Sequence, residues 1–346
     1  MTRAVVGASS EHALLARIRA RLGDRPSWVR VGIGDDAAVV EPAANVAEEI
    51  TTDCLIEGVH FDRRFVPADA IGHRALAVNL SDLAAMGASP RLATLSLIMP
   101  ADLPIDELDG VLDGFDALAR RYRVTLVGGN LSRSPGPLVV DVTALGTVHR
   151  RKFLTRAGAR PGDAIYVSGT LGAARAGLAI CRNESTGSAI ASVAGEGDAE
   201  AHAARERYLR PDPRVRLGTL LGRTRSASAC MDLSDGLADA LTQVSRESGV
   251  GLDVDADAIP VDAAARAQSG DHDGNGLDEA LAGGDDYELL FTVPPRRRGA
   301  LRSVTRLARG LPLTQIGVVT RGTGVRLMRG GRQQPLPGGF SHFGSA

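Results

Sequence analysis

Strand-like and helix-like apolar segments alternate through both halves of the 346-residue sequence, and this alternation restricts the fold more than any other feature. Short apolar runs predict strands at residues 36–40, 49–53, 91–99, 124–127, 138–149, 164–168, 252–254, 287–293 and 313–319. Apolar residues spaced three or four apart predict helices at residues 68–86, 105–122 and 171–181. A further helix is predicted at the N-terminus, where Leu14, Leu15, Ile18 and Leu22 share one face, and another after Met231 and Asp232. The pattern predicts a mixed α/β protein.

The length of the chain predicts two domains, because one hydrophobic core usually stops growing at about 250–300 residues. The basic, turn-rich segment RKFLTRAGARPGD (151–163) is the predicted boundary. It gives an N-terminal domain over residues 1–150 and a C-terminal domain over residues 151–346. Residues 183–200 are rich in Gly, Ser, Ala and Glu and have little apolar pattern, so they are predicted to form a mobile loop.

Charge and cysteine content narrow the possible functions. The formal net charge of −1 argues against general binding to nucleic acid or to a membrane surface. Lys152 is the single lysine, and it does not follow the Gly-rich loop of a Walker motif. Cys54, Cys181 and Cys230 lie far apart and form no CxxC, which predicts a reducing, cytoplasmic environment and no structural zinc. No apolar run has the length of a membrane span, and the N-terminus does not resemble a signal peptide.

Carboxylates recur beside Gly, Ser or Thr at the ends of apolar segments. The clusters are GIGDD (32–36), TTD (51–53), NLSD (79–82), DLSDG (232–236) and GGDD (283–286). Any one of them can be read as an ordinary turn. Five together favour a site where magnesium, which prefers oxygen ligands, bridges carboxylates to a polyphosphate. Asp35 and Asp36, which are adjacent like charges, are candidate ligands of such ions.

Asp82 interrupts an apolar helix face. Ile71, Ala75, Val78, Asp82 and Met86 fall on one stripe of the predicted helix, so the carboxylate should be partly buried and should need a partner. In the alternative, the helix ends early and Asp82 is solvated near its last turn.

Asp232 and Asp235 flank Ser234 at a predicted helix start. They can form a cap, with Asp232 as the N-cap residue and Asp235 in the first turn. The same geometry suits a cluster of phosphate and metal at a helix N-terminus, and the two interpretations are compatible.

Several other motifs are incomplete. The sequence has no GxxxxGK[ST], and GIGDDA lacks the third glycine of a dinucleotide fingerprint. DHDGNG (271–276) starts like a calcium loop but has Ala282 at the twelfth position, which predicts a solvated turn. His60 taken alone is more typical of a structural histidine.

Taken together, the motifs resemble the thiamine-monophosphate kinase family, in the superfamily that includes aminoimidazole ribonucleotide synthetase. The matching stretches are GIGDDAAVV, TTDCLIEGVHF, ALAVNLSDLAAMGASP, LVGGNLSR, LTRAGARPGD, MDLSDGLADAL, GGDDYELLFTVP and the terminal GGFSHF. They occur in the family's order and cover essentially the whole chain.

The resemblance implies a two-domain synthetase-like fold, with an N-terminal domain that joins a second copy in a dimeric β-barrel and a C-terminal α/β domain. It implies direct, in-line transfer of the γ-phosphoryl group of ATP to thiamine monophosphate, with several Mg²⁺ ions and without a phosphoenzyme. Such chemistry needs positioning and charge neutralisation more than it needs a lysine.

The resemblance also assigns site residues. The implied magnesium ligands are Asp35, Asp36, Thr51, Thr52, Asp53, Asp82, Asn130, Asp232 and Asp235, of which Asp53, Asp82 and Asp235 are the implied catalytic residues. The implied ATP contacts are Tyr122, Gly129, Asn130, Arg156 and Ser234. The implied contacts to thiamine monophosphate are His60, Asp285 and Phe340.

Two residues depart from the family pattern. Asn130 stands where the family has Asp, so it keeps a carbonyl oxygen but loses the negative charge. Asp285 replaces the family's Glu and is one methylene shorter. Two alternatives therefore stay open: a homologue that binds nucleotide or thiamine phosphates but turns over poorly, and another ATP-dependent synthetase of the superfamily, against which the EGVHF motif argues.

Overall fold

The computed structural model describes residues 4–21, 25–33, 35–186, 196–269 and 275–338. The chain divides into two compact units. The N-terminal unit comprises the residues up to Leu83 together with Ser89–Arg150. The C-terminal unit comprises Arg151 onward and also Ala84–Ala88, the end of a long helix and its stop.

An open sheet forms the centre of the N-terminal unit. Its strands are β3 (Val46–Ile56), β4 (Ser89–Pro100), β5 (Thr125–Ser134) and β6 (Val139–His149), after a short hairpin of β1 (Val29–Val31) and β2 (Val39–Val40). The order is β3-β6-β4-β5, with β4 and β5 parallel and the other pairs antiparallel. Within the described residues these strands do not close into a barrel.

Three helices accompany this sheet: α1 (Glu11–Arg21), α2 (Ala68–Met86) and α3 (Ile105–Tyr122). The predicted bounds of α2 and α3 are confirmed. Glycines let these two helices approach closely, because a Cβ atom added at Gly72 would lie 1.8 Å from the carbonyl oxygen of Val111. Helix α2 is stopped at Gly87, whose φ is +82°.

A larger sheet forms the core of the C-terminal unit. In the described part its strand order is β13-β12-β9-β11-β7-β10-β8. The strands are β7 (Ala164–Ser168), β8 (Ala229–Asp232), β9 (Gly251–Asp255), β10 (Leu289–Val293), β11 (Leu313–Thr320), β12 (Gly324–Arg329) and β13 (Arg332–Gln334). The helices are α4 (Ala173–Ser185), α5 (Glu196–Leu209), α6 (Val215–Thr224), α7 (Leu237–Ser248), α8 (Ala263–Gln268), α9 (Leu277–Ala282) and α10 (Arg298–Leu307). Apolar residues of β7, β8, β9, β10 and α7 share one buried cluster.

Several sequence-based bounds are corrected. The strand predicted to end at Gly128 and Gly129 continues through both glycines as β5. The strand predicted at residues 36–40 is reduced to β2. The loop predicted at residues 183–200 is helical at both ends, where α4 runs to Ser185 and α5 begins at Glu196, and residues 187–195 lie outside the described part. The helix after Asp232 begins only at Leu237.

Candidate functional site

Strand β3 presents part of the TTD cluster to helix α2. The Thr51 hydroxyl donates a hydrogen bond to Oδ2 of Asp82, which is partly buried on α2. Asp53 is two residues after Thr51 on β3 and therefore lies on the same strand face. Its register partner Val142 and the partner of Val142 on the next strand, Leu95, are both buried, so this face is directed inward. Helix α2 continues to Met86 and Asp82 is only partly exposed, so the alternative in which the helix ends early and Asp82 is solvated near its last turn is wrong. The sequence expectation that Asp82 is partly buried and partnered is confirmed.

Thr52 and Asn130 lie on the opposite face of this sheet. Successive residues of a strand point to opposite sides, and Thr52 is exposed while its hydroxyl donates to the carbonyl oxygen of Val142 at 3.2 Å. Asn130 is in register with Ser96, and its side-chain amide donates to the hydroxyl of Ser132 at 3.0 Å. The structure of one chain therefore does not bring Thr52 and Asn130 together with Thr51 and Asp82.

Asp35 and Asp36 lie in the exposed turn before β2. The main-chain N–H of Asp36 donates to Oδ1 of Asp35 at 3.0 Å, and both residues are exposed. Gly34, which precedes them in the GIGDD cluster, lies outside the described residues.

Glu49, a residue that the sequence reasoning missed, lies on the same face of β3 as Thr51. Neither of its carboxylate oxygens is solvent-accessible or has a hydrogen-bond partner in the described part of the chain. Burial raises the pKa of Glu49 to about 8. The alternation along the predicted strand was a signal for this placement, because Glu49, Thr51 and Asp53 are spaced by two.

The donor chemistry of this face fits a hard cation. Asp53, Asp82 and the Thr51 hydroxyl offer oxygen atoms only, which is the ligand type that magnesium prefers. The buried, unpartnered carboxylate of Glu49 is a group that a nearby positive charge would stabilise. Among the described residues, however, no group of three or more His, Cys, Asp or Glu side chains is gathered as a metal cage. Magnesium therefore fits the residue types, with substrate oxygens and water left to complete its coordination.

The DLSDG and GGDD clusters meet in the C-terminal unit. Asp232 is the last residue of β8 and is buried, while Ser234 and Asp235 follow it in a loop. The N–H of Asp285 donates to the carbonyl oxygen of Ser234 at 2.7 Å, and the N–H of Tyr287 donates to that of Leu233 at 3.0 Å. Two segments about 50 residues apart in sequence thus form one paired loop cluster.

Asp232 does not cap the helix that follows. Helix α7 begins at Leu237 with Gly236 as its N-cap residue, at a φ of +95°, so the N-cap residue itself has no side chain that could cap the first turn. The capping interpretation, with Asp232 at the N-cap and Asp235 in the first turn, is therefore wrong. The N-terminus of α7 keeps amide groups that can bind an anion.

Two non-glycine residues beside Ser234 have left-handed backbone conformations. The φ values are +60° at Asp285 and +49° at Tyr287, and the Tyr287 hydroxyl donates to Oδ1 of Asp285 at 3.0 Å. Such conformations cost about 1–3 kcal/mol each and persist where the surroundings impose them. The Tyr287 backbone also explains why the strand predicted from residue 287 starts at Leu289.

Asp286 and Glu288 alternate with Asp285 and Tyr287 along the chain. Both are buried and fix the segment 285–288 in the protein interior. Asp286 accepts hydrogen bonds from the N–H groups of Gly172 and Ala174, at 2.6 and 3.2 Å, where α4 begins. Burial raises the pKa of Asp286 to about 7, although Arg207 and these N–H groups act in the opposite direction.

Glu288 is fully buried and binds two arginines from separate elements. Arg207 of α5 lies 2.9 Å from its Oε1, and Arg214, just before α6, pairs with both carboxylate oxygens. Ser168 donates a further hydrogen bond to the same carboxylate at 2.5 Å. The sequence reasoning missed both Asp286 and Glu288, whose placement depends on helices far away in sequence.

The remaining predicted contacts have local structural partners. His60 Nδ1 accepts the N–H of Ile56 at 3.0 Å, so a neutral ring carries its proton on Nε2. Arg156 donates to Oε1 of Gln243 at 2.5 Å, and the guanidinium of Arg121 lies 5.3 Å from the ring centre of Tyr122.

Gly129 and Phe340 complete the predicted set. Glycine is required at position 129 by packing, because an added Cβ atom would lie 1.9 Å from the carbonyl oxygen of Leu95. Phe340, together with most of the terminal GGFSHF motif, lies outside the described residues.

The three thiols are free, with Cys54 exposed and Cys181 and Cys230 buried. Among the described helices, none combines the length and hydropathy that crossing a bilayer requires.

Comparison with known proteins identifies relatives over both units. The AIR synthase related protein family matches with its N-terminal domain at residues 34–148 and with its C-terminal domain at residues 160–330. Thiamine-monophosphate kinase of Salmonella typhimurium is 41% identical over 341 residues, which are 97% of this chain and 99% of that protein.

Solved structures give the same relationship. The crystal structure of thiamine-monophosphate kinase from Stenotrophomonas maltophilia K279a is 44% identical, with a TM-score of 0.79 over 92% of this chain and 96% of that chain. The structure of AaThiL complexed with AMPPCP and TMP is 33% identical, with a TM-score of 0.74 over 96% of this chain and 97% of that chain. The chain therefore belongs to the thiamine-monophosphate kinase family of AIR synthase related proteins.

Proposed function

We propose that this protein transfers the γ-phosphoryl group of ATP to thiamine monophosphate, with Mg²⁺, to form thiamine diphosphate. The observation that carries the proposal is the likeness, over 96% of this chain, to AaThiL in complex with AMPPCP and TMP. The paired oxygen-rich loops of the C-terminal unit and the Thr51–Asp82 contact of the N-terminal unit support it.

In the C-terminal unit, the loop after β8 would receive phosphate groups of ATP. The Ser234 hydroxyl and the main-chain N–H groups at the start of α7, where the N-cap residue is Gly236, are donors for phosphate oxygens. Asp232 and Asp235 repel phosphate unless a cation lies between them, so they would act as magnesium ligands rather than as direct phosphate contacts. Arg156 would add a positive charge to this nucleotide site.

In the N-terminal unit, Asp53 and Asp82 would hold magnesium, with Thr51 orienting Asp82 through its hydrogen bond. At this position Mg²⁺ would supply positive charge against the negative charge that develops on the phosphate oxygens during transfer. The residues themselves position the two substrates and hold no covalent intermediate. This chemistry does not require a lysine. Lys152, the single lysine, has a structural contact instead, because it donates to the carbonyl oxygen of Arg223.

Thiamine monophosphate would contact His60, Asp285 and Phe340. Tyr287 holds the Asp285 carboxylate by a hydrogen bond at 3.0 Å and so fixes the direction of a side chain that is one methylene shorter than the family's Glu. His60 would present its Nε2 side, because Nδ1 accepts a main-chain N–H.

The proposal includes a cytoplasmic homodimer in which the open sheets of two copies form a barrel. The face of the sheet that carries Thr52 and Asn130, called the outer face below, supports this arrangement. On β3, Ile50 is 69% exposed, and Thr52 and Cys54 on the same face are also exposed. A second copy packed on this face would remove the Ile50 side chain from water. Light scattering of the native protein and of Ile50→Asp tests it, and a monomer in both would contradict the dimer.

The experiment that tests the function is an assay with purified protein, Mg-ATP and thiamine monophosphate, with direct detection of thiamine diphosphate. Product forming in step with ADP is expected. Asp53→Ala and Asp82→Ala should each remove most of the activity, whereas the matched change Asp102→Ala, at an exposed turn, should not. Wild-type turnover in either of the first two variants would contradict the magnesium assignment.

A second candidate function is binding without efficient turnover. It is favoured by Asn130, whose amide cannot supply the charge of a carboxylate and already donates to Ser132. Magnesium-dependent binding of ATP without product would support this candidate and overturn the kinase proposal.

A further inference from the structure

The last part of the sequence has an unusual charge distribution. Between Glu288 and the C-terminus there is no Asp or Glu, although this stretch contains ten arginines. Arg326 and Arg329 are paired with Asp253 and Asp257. The arginines of residues 296–309, on and around α10, form no ion pair with any carboxylate of the described residues. The surface around α10 is therefore strongly positive in a chain whose formal net charge is −1.

A groove of about 640 Å³ opens on this positive surface, beside α6 and the end of α10. Lys152, Arg216 and Arg223 line it, and no carboxylate is among its lining residues in the described part of the chain. Arg216 and Arg223 lie on the exposed face of α6, two turns apart. Leu220 and Leu307 supply apolar surface between the cations.

Two of the three cations also have a structural task. Lys152 donates to the carbonyl oxygen of Arg223 at the end of α6 at 3.1 Å, and Arg216 donates to that of Leu307 at the end of α10 at 2.8 Å. Each helix end carries about half a negative charge. Three full positive charges therefore exceed the charge of the two helix ends, and the groove stays positive.

Most hydrogen-bond donors of the three cations are left for a ligand. Lys has three donors and Arg five, and Lys152 and Arg216 each use one here, whereas the Arg223 guanidinium has no partner within the described residues. The hydroxyls of Thr219 and Thr224 in the groove wall already donate to main-chain carbonyls. A bound anion would therefore be held by the three cations.

We propose that this groove is a second binding site, for a small anion that carries several phosphate charges, such as a polyphosphate or a phosphorylated metabolite. Three cations that line one groove match a multiply charged group better than a single carboxylate, and the Arg guanidinium matches phosphate oxygens in a fork geometry. The volume is in the range of small-ligand sites. None of the lining residues belongs to the loops that would bind ATP, so the site is separate from the proposed kinase chemistry.

The test is calorimetric titration of the full-length protein with inorganic tripolyphosphate, in buffer freed of divalent ions by a chelating resin. Without a divalent ion, the Asp-rich loops repel the probe, so binding reports the basic groove. One saturable site per chain is expected, and Arg223→Gln should weaken it by about tenfold because one charge-assisted contact is lost. The matched control is Arg302→Gln, an exposed arginine of α10 that does not line the groove, and it should change the affinity by less than about twofold.

Three results would overturn the proposal. The first is the absence of saturable binding, and the second is an equal loss in Arg223→Gln and Arg302→Gln, which would indicate a diffuse field rather than a site. The third is tight binding of single-stranded RNA without binding of tripolyphosphate, which would indicate a nucleic-acid surface. Kinase activity of Arg223→Gln is measured separately with Mg-ATP and thiamine monophosphate and should equal that of the wild type. The titration does not depend on turnover, so it can be interpreted even if the kinase proposal fails.

Discussion

The Tyr287 hydroxyl donates a hydrogen bond to Oδ1 of Asp285 at 3.0 Å, and both residues have left-handed backbone conformations. Their main-chain N–H groups donate to Ser234 and Leu233. One strained segment therefore both presents a carboxylate and holds the loop that carries Ser234. Asp286 and Glu288, which alternate with these residues, fix the segment from the interior.

Tyr287→Phe should raise the KM for thiamine monophosphate by about fivefold, because the variant loses one hydrogen bond worth about 1 kcal/mol and leaves Asp285 less well oriented. The KM for ATP should stay unchanged. Steady-state kinetics with each substrate varied in turn checks this result. Tyr166→Phe is the matched control, since its hydroxyl donates to Gln315 on an exposed part of the sheet. Equal effects of Tyr287→Phe on both KM values would contradict a role specific to the acceptor.

Thr51→Val should weaken activation by Mg²⁺ by about tenfold, because Asp82 loses the hydroxyl that orients it. Thr51→Ser keeps the hydroxyl and should restore most of the wild-type response. The measurement is the Mg²⁺ concentration for half-maximal rate at saturating nucleotide. Thr314→Val, on β11 of the C-terminal unit, is the control for loss of a threonine hydroxyl from a strand. An unchanged Mg²⁺ response in Thr51→Val would show that Asp82 is not oriented by Thr51.

The helices were the most predictable part of the fold. The bounds of α2 and α3 follow from their apolar stripes and from their ends, where Gly87 and Arg123 have left-handed backbones that stop a helix. The extension of β5 through Gly129 could not be predicted in the same way. Glycine usually marks a turn or the end of a strand. Here Gly129 instead allows close approach of β4, a strand that is distant in sequence.

The candidate site was predictable in its residue types but only partly in its arrangement. The family resemblance is confirmed by the comparisons. The alternation of a strand already implies that Thr51 and Thr52 point to opposite faces, yet the resemblance places both in one metal set. The register that puts Asn130 on the outer face depends on three strand pairings, so no local pattern contains it. The assignment of these residues to magnesium stays a prediction.

Glu288→Gln should lower the free energy of unfolding by about 3 kcal/mol, because it leaves Arg207 and Arg214 without their buried carboxylate. Urea unfolding monitored by circular dichroism measures the change. Glu184→Gln removes the same charge from an exposed pair with Arg205 and should cost less than about 1 kcal/mol. A loss in Glu288→Gln as small as that in Glu184→Gln would show that the buried pair contributes no more than a surface pair.

Asp286 should make the protein less stable as the pH rises from about 4 to about 7. Its pKa in the folded protein is raised to about 7, above the ordinary value of 3.8, so the folded state binds a proton that the unfolded state has lost in this range. The contribution of the protonated carboxyl is full below the unfolded pKa and is lost as the pH rises through the folded one, with a slope of up to about 1.4 kcal/mol per pH unit. Asp286→Asn, which cannot ionise but can still accept an N–H from Gly172 or Ala174, should flatten this part of the stability curve. Urea unfolding of both proteins over this pH range measures the difference, and parallel curves would mean that Asp286 does not titrate there.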